Sequence, residues 1–143
     1  MSFWDSSALV AAFTNEPASP HVAHLMKSDP SVTIWWAAPV ECASAAARRR
    51  REGTIGARGF ETFLRSVHEA SLHWEVVEPL PAVRSAAIRL IRVHPLRAAD
   101  AFQLAAALAW ADGHPHSRRF VTLDGRLAEA ARLEGFTVLP EEG

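Results

Sequence analysis

Short β-prone runs alternate with longer helical ones along the whole chain, and this constrains the fold more than any other feature. Strands separated by helices call for a parallel sheet covered on both faces. Ser2–Trp4 is a brief apolar run, followed by Asp5-Ser6-Ser7 and a helical stretch over Ala8–Asn15. Residues 17–19 interrupt, and His21–Lys27 reads as a second helix. Val32–Ala37 (VTIWWA) is β-branched and aromatic, the character of a buried strand. Pro39 sits where a first helical turn accepts it, and Val40–Arg51 is helical up to Gly53. Ala57–Leu72 is a further helix with Phe60, Leu64 and Val67 on one face. His73–Val77 is a third strand, closed by Pro79 and Pro81, and Ala82–Val93 is helical up to Pro95. Ala98–Ala111 is almost all Ala, Leu and Phe, and Gly113 ends it. Phe120–Leu123, Arg126–Leu133 and Phe136–Leu139 complete the pattern as strand, helix and strand. The expectation is a single α/β sandwich on a five-stranded parallel sheet. One domain over residues 1–143 is expected, since no repeat, linker or low-complexity tract divides it.

Three acids fall at strand-to-helix junctions of this pattern. Asp5 follows the first strand, at the N-cap of the helix beginning Ser6-Ser7-Ala8. Glu41 lies two residues beyond Pro39, and Asp124 follows the strand FVTL. In a parallel sheet those junctions share one edge, and ligands of open α/β sheets bind outside it. Asp100 opens a helix that another helix precedes, so its placement there is an expectation rather than a reading of the pattern. Asp is also a favoured N-cap, and acids in a first turn complement the helix dipole. Asp100 and Glu41, however, stand among small apolar residues, AADAF and VECA, where an unbound carboxylate is costly. Several such groups together would repel one another and welcome a cation. The hard, oxygen-preferring cation they suggest is Mg²⁺ or Mn²⁺. No Cys/His cluster offers a zinc site, and His114-Pro115-His116 reads as a polar loop.

Composition narrows the setting. Apolar residues make up 49% of the chain, enough for one core. Cys42 is the only cysteine, which excludes an intramolecular disulfide and fits a reducing, cytoplasmic setting. MSFWDSS lacks the basic and apolar regions of a signal peptide, and no apolar stretch is long enough to span a bilayer. A net charge of −1 provides no global basic field, so any RNA contact must be local. Fourteen arginines stand against one lysine, Lys27, with clusters at Arg48–Arg51 and Arg118-Arg119. Arginine grips phosphate in two-pronged fashion, although a GC-rich coding sequence produces the same bias. Five tryptophans, including Trp35-Trp36 and Trp110, suggest more apolar surface than one core absorbs, unless they are ordinary core.

Four segments come in order: DSSALV at 5–10, PVE at 39–41, LRAADAFQLAAA at 96–107 and FVTLDGRL at 120–127. Together they resemble the PIN-domain family, in particular the VapC-type toxins of type II toxin–antitoxin pairs. The resemblance covers essentially the whole chain. It implies a PIN-like three-layer sandwich and a metal-dependent endoribonuclease with Asp5, Glu41, Asp100 and Asp124 as catalytic, metal-holding acids. It puts Ser6 and Thr122 in supporting positions and makes Arg97 a candidate for contacting phosphate or steadying Asp100. It further implies an RNA substrate, a homodimer, an antitoxin partner and no membrane association. Only four residues precede Asp5, so the first strand must be short.

Other classes fit less well. A phosphorylation-driven receiver domain would need paired acids after the first strand and a lysine after the last; Asp5 has no acidic neighbour and Lys27 lies elsewhere. A haloacid-dehalogenase-type phosphatase would need an Asp where Ser7 stands. A PIN-like fold serving only as a non-catalytic binding module has no need of four carboxylates together.

Overall fold

The structure, a computed structural model, describes residues 1–141. Five strands form one parallel sheet: β1 (Ser2–Trp4), β2 (Val32–Trp35), β3 (Glu75–Val77), β4 (Arg119–Val121) and β5 (Thr137–Leu139). Their spatial order is β3-β2-β1-β4-β5. Seven helices connect them: α1 (Ser6–Ala12), α2 (Ser19–Ser28), α3 (Ala38–Arg51), α4 (Ala57–Ser71), α5 (Pro81–Val93), α6 (Ala98–Trp110) and α7 (Gly125–Glu134).

From β1 the chain steps outward to β2 and β3, then crosses to β4 and β5 on the other side. Right-handed crossovers in opposite directions put their helices on opposite faces. Accordingly, α1 packs with α2 and α3, and α3 with α4, while α6 lies on β2 and β3 and packs with α5 and α7. This is the expected α/β sandwich, in three layers. Among the described residues, no helix is long and apolar enough to cross a membrane.

Every expected element is present, but the boundaries shift for local reasons. Helix α1 begins at Ser6, directly after Asp5, whose side chain caps it by accepting from the Ala8 N–H, and it ends at Ala12 rather than Asn15. Helix α2 starts at Ser19 because Pro20 suits a first turn. The same preference at Pro39 starts α3 at Ala38 and cuts β2 short at Trp35. Gly135 stops α7 with φ +111°, a left-handed position that a β-carbon disfavours.

The strands are short, yet the sheet is anchored deep in the core. Phe3 and Phe120, in register on adjacent strands, stack at 5.4 Å, and Phe136 joins at 5.6 Å. Phe3 and Phe120 are fully buried. Four of the five tryptophans are at least partly buried; Trp36 is exposed. On the surface of that core, Glu134 accepts from Arg89 at 2.9 Å and pairs with His94 at 2.7 Å, tying α5 to α7. Burial pushes the Glu134 carboxyl up, but these two partners outweigh it and hold it below its ordinary value.

Phe120→Ala would remove the middle ring of the aromatic stack. It should destabilise the fold by about 3–5 kcal/mol, read as a lower urea midpoint with an unchanged slope. A loss below about 1 kcal/mol would mean that this stack is not central to the core.

Candidate active site

The strand order reverses between β1 and β4, and the crevice outside their carboxyl ends is where open α/β sheets bind ligands. Asp5 and Asp124 flank that crevice, each as the N-cap of the helix that follows its strand. Glu41 stands in the first turn of α3, just after β2. Asp100 reaches the same edge because α6 starts beside α7. Arg97, Ala99 and Asp100 share a cavity of about 590 Å³ with Asp124, Gly125 and Arg126. Three residues on, Gln103 extends from the same face of α6 to Glu41. All four acids expected from the sequence are thus brought to one edge of the sheet.

Asp5 is the most enclosed of them, only 3% exposed. Ser7 Oγ donates to its two oxygens at 2.8 and 3.0 Å, Thr122 Oγ1 donates to Oδ2 at 2.9 Å, and the Ala8 N–H donates to Oδ1 at 3.1 Å. Burial dominates these donors, and the charge of Asp124 adds to it, so the carboxyl is pushed up to about 7. Glu41 accepts from Gln103 Nε2 at 3.1 and 3.3 Å and from Ser6 Oγ at 3.0 Å. Burial, and then the charge of Asp100, raise it above the usual range despite these donors. Asp100 is raised by burial and by Asp124, while the backbone and guanidinium of Arg97 and the charge of Arg126 pull the other way. Repulsion therefore runs in a chain from Asp5 through Asp124 and Asp100 to Glu41. The buried Cys42 thiol registers the same field. Burial, with Glu41 and Asp5 adding their charges, pushes it up to about 12.

The donors are all hard carboxylate oxygens, the chemistry that Mg²⁺ and Mn²⁺ prefer. Among the described residues, however, no three His, Cys, Asp or Glu side chains form a group able to hold a metal ion. The arrangement suits a cation held by one or two carboxylates that keeps much of its water, as Mg²⁺ usually does. It does not suit a closed cage.

Ser6 and Thr122, the two hydroxyls expected in supporting positions, each bond an acid, and Ser7 joins them. Thr122 donates to Asp5, Ser6 donates to Glu41, and Ser7 also donates to Asp5. Ser7, Gln103 and Arg126 had not been singled out as site residues. Gln103 had a signal, being the one polar break in an apolar helix three residues from Asp100. Arg97 lies beside Asp100 as expected. A second cavity of about 460 Å³ joins Glu41, Ser6, Ser7 and Ser44 to Arg48 and Arg49. Arg49 is held there by Glu16 and by the Thr14 hydroxyl, and Arg50 stacks on Phe60. Arg118-Arg119 does not belong to the site. β4 begins at Arg119, so the pair lies at the opposite, amino edge of the sheet. There Arg118 covers Trp110 and Arg119 reaches Asp29 at 3.4 Å.

No protein-family model matches the chain, and no curated protein does. Solved structures share its architecture, two of them as follows. PAE2754 from Pyrobaculum aerophilum superposes with a TM-score of 0.66 at 20% identity, over 96% of this chain and 88% of that one. FitAcB from Neisseria gonorrhoeae superposes with a TM-score of 0.60 at 15% identity, over 96% of both chains. The fold is PIN-like. At such identities the likeness speaks for the fold alone.

The raised Asp5 carboxyl sets a pH dependence. Its value is about 7 in the folded protein against an ordinary 3.8, so the folded state keeps a proton that the unfolded chain releases between those values. Metal-free stability should therefore fall as pH rises through that window and level off above it. Asp5→Asn keeps a capping oxygen and removes the titration. In EDTA it should gain on the order of 3 kcal/mol over the parent protein at pH 8 and little at pH 4. Parallel pH–stability curves for the two proteins would show that Asp5 is not the strained group.

Proposed function

We propose that the chain is a Mg²⁺- or Mn²⁺-dependent endoribonuclease, the toxin of a toxin–antitoxin pair. The observation that carries this reading is the run of four mutually repelling carboxylates at the switch point of the sheet, with arginine-lined cavities on either side. Such an excess of half-buried negative charge has little structural use. It becomes favourable once a divalent cation is bound.

When bound, the cation would polarise the phosphodiester and lower the pKa of a water. Asp100 and Asp124, which share a cavity, are the pair that would hold it directly, with Asp5 and Glu41 adding negative charge beside them. Ser7, Thr122 and the Ala8 N–H fix the orientation of Asp5, and Ser6 and Gln103 fix that of Glu41. Arg97 and Arg126 stand in the cavity of Asp100 and Asp124, where they would take phosphate oxygens and leave the acids to the cation. Arg48 and Arg49 line the other cavity and would continue the grip along the RNA backbone. Neither Ser6 nor Ser7 acts as nucleophile, since each donates its proton to a carboxylate and no histidine activates it. The antitoxin and the homodimer rest on the resemblance of the four sequence segments. Exposed Ile88, Ile91 and Val93 on α5 offer an apolar surface for such a contact.

The test is cleavage of single-stranded RNA by the purified protein with Mg²⁺ or Mn²⁺ and in EDTA, beside Asp100→Asn. Asp100 is half-exposed, so this variant should fold. Discrete fragments that require metal, and a loss of at least about a hundredfold in the variant, are expected. Intact RNA under every condition, from folded protein freed of any partner, would leave a non-catalytic binding module.

A second prediction concerns the arginines. In the Asp100→Asn background, Arg97→Ala or Arg126→Ala should weaken RNA binding and lower the log–log salt slope by about one each. An unchanged slope would remove these residues from the phosphate path.

A further inference from the structure

On the carboxyl edge of the sheet, where β2 and β3 end, lies a pocket of about 340 Å³ that the chemistry above does not use. Its walls are Trp35 and Trp36, where β2 hands over to α3, Phe102 on α6, and the Pro79–Pro81 turn that starts α5. Trp35 and Phe102 stack almost parallel, 5.5 Å apart with 5° between the planes. The Trp36 backbone is pinned by its N–H to the Val77 carbonyl at 3.1 Å, yet 55% of the residue is exposed. An exposed aromatic on an anchored backbone is a ready stacking platform.

Two donors at this pocket are unspent. Trp35 is only 5% exposed, and its indole N–H, which is not sealed from solvent, is used by no hydrogen bond among the described residues. The exposed Arg84 lines the pocket and makes no ion pair among the described residues. Flat aromatic faces with a free indole N–H and a free guanidinium suit a planar ring bearing acceptor nitrogens or oxygens.

Its location selects among such ligands. Phe102 is two residues beyond Asp100, and Trp36 precedes by five residues the Glu41 that lines the other side of the site. The pocket and the acids share the carboxyl edge, but Phe102 leaves α6 on a different face from Asp100, so the base that reaches the pocket is one further along a strand lying across that edge. A concave slot of this size holds one ring well.

We infer that this pocket is a nucleobase subsite. It takes one unpaired base of the RNA, which stacks on Trp36 and is read by the Trp35 N–H and Arg84. The inference rests on the ribonuclease reading for its choice of ligand. It deepens that reading by making the pocket the source of base preference near the cut.

The test separates base binding from cleavage. In EDTA, ¹H–¹⁵N spectra of the indole groups are followed while AMP, GMP, CMP and UMP are added, with ribose 5-phosphate as the baseless control. The Trp35 and Trp36 signals should move and saturate with at least one nucleotide, while Trp4, sealed in the core on Ser2, stays still. Trp36→Ala and Arg84→Ala, both at exposed positions, should weaken that binding about tenfold and relax the cut-site preference in active protein. Equal shifts with ribose 5-phosphate, or none with any nucleotide, would overturn the subsite. So would self-association that Trp36→Ala abolishes in a protein showing no nucleotide shifts. Base-dependent shifts in a protein that never cleaves RNA would support the subsite while removing the nuclease. Cleavage whose base preference survives both substitutions would do the reverse.

Discussion

A carboxyl group sealed at the end of the central strand sets the terms for everything around it. Asp5 is held by two hydroxyls, and each of these is itself held. Ser7 Oγ accepts the Leu123 N–H at 2.9 Å, and Thr122 Oγ1 accepts the Asp124 N–H at 3.0 Å. The hydroxyls that orient Asp5 therefore also fix the backbone leading into α7, where Asp124 is the cap. Chains of hydrogen bonds of this kind reinforce one another in a low-dielectric setting. The relative placement of two of the four acids is in this way built into the join between β1 and β4.

Capping alone does not account for the residue chosen. An N-cap is worth about 1 kcal/mol, and Asn or Ser would supply it without charge. A carboxyl pushed up to about 7 costs several times that at neutral pH. The charge is thus a liability to folding wherever nothing neutralises it. Glu41 and Asp100, both raised and both facing further acids, carry the same liability. Stability must come from elsewhere, and the Phe3–Phe120–Phe136 stack and the Glu134 pairs provide it away from the acids. Functional sites commonly trade stability in this manner.

The sequence made the architecture readable because the alternation of strand and helix leaves few topologies. Strand order was not readable, since nothing local says that β4 joins the sheet beside β1. The observed order also separates the fold from the receiver-like alternative, whose doubly wound sheet runs 2-1-3-4-5. Asp5, Glu41 and Asp124 could be placed on one edge because each follows its own strand. Asp100 follows a helix, and only the packing of α6 against α7 brings it there. Arg118-Arg119 leads into β4, and residues that lead into a strand of a parallel sheet belong to its amino edge, away from the acids. Ser6 and Ser7 were harder. Both open α1, and which hydroxyl meets which acid depends on the helix phase set by the Asp5 cap.

Gln103 shows how far the site reaches into the core. The residue is 1% exposed, and its Oε1 is a buried acceptor without a partner among the described residues. Leaving such a group unpaired costs about 1–3 kcal/mol, and a leucine would avoid that cost in a helix otherwise made of Ala, Leu and Phe. What the amide supplies instead is a pair of contacts from one nitrogen to both oxygens of Glu41. A bond to a charged acceptor is worth roughly the same 1–3 kcal/mol, so the exchange is near neutral for folding. Its net result is a Glu41 carboxylate fixed from the core side while Ser6 fixes it from α1. The geometry of the acid edge is therefore held from within the protein, and its open side is left to whatever binds there.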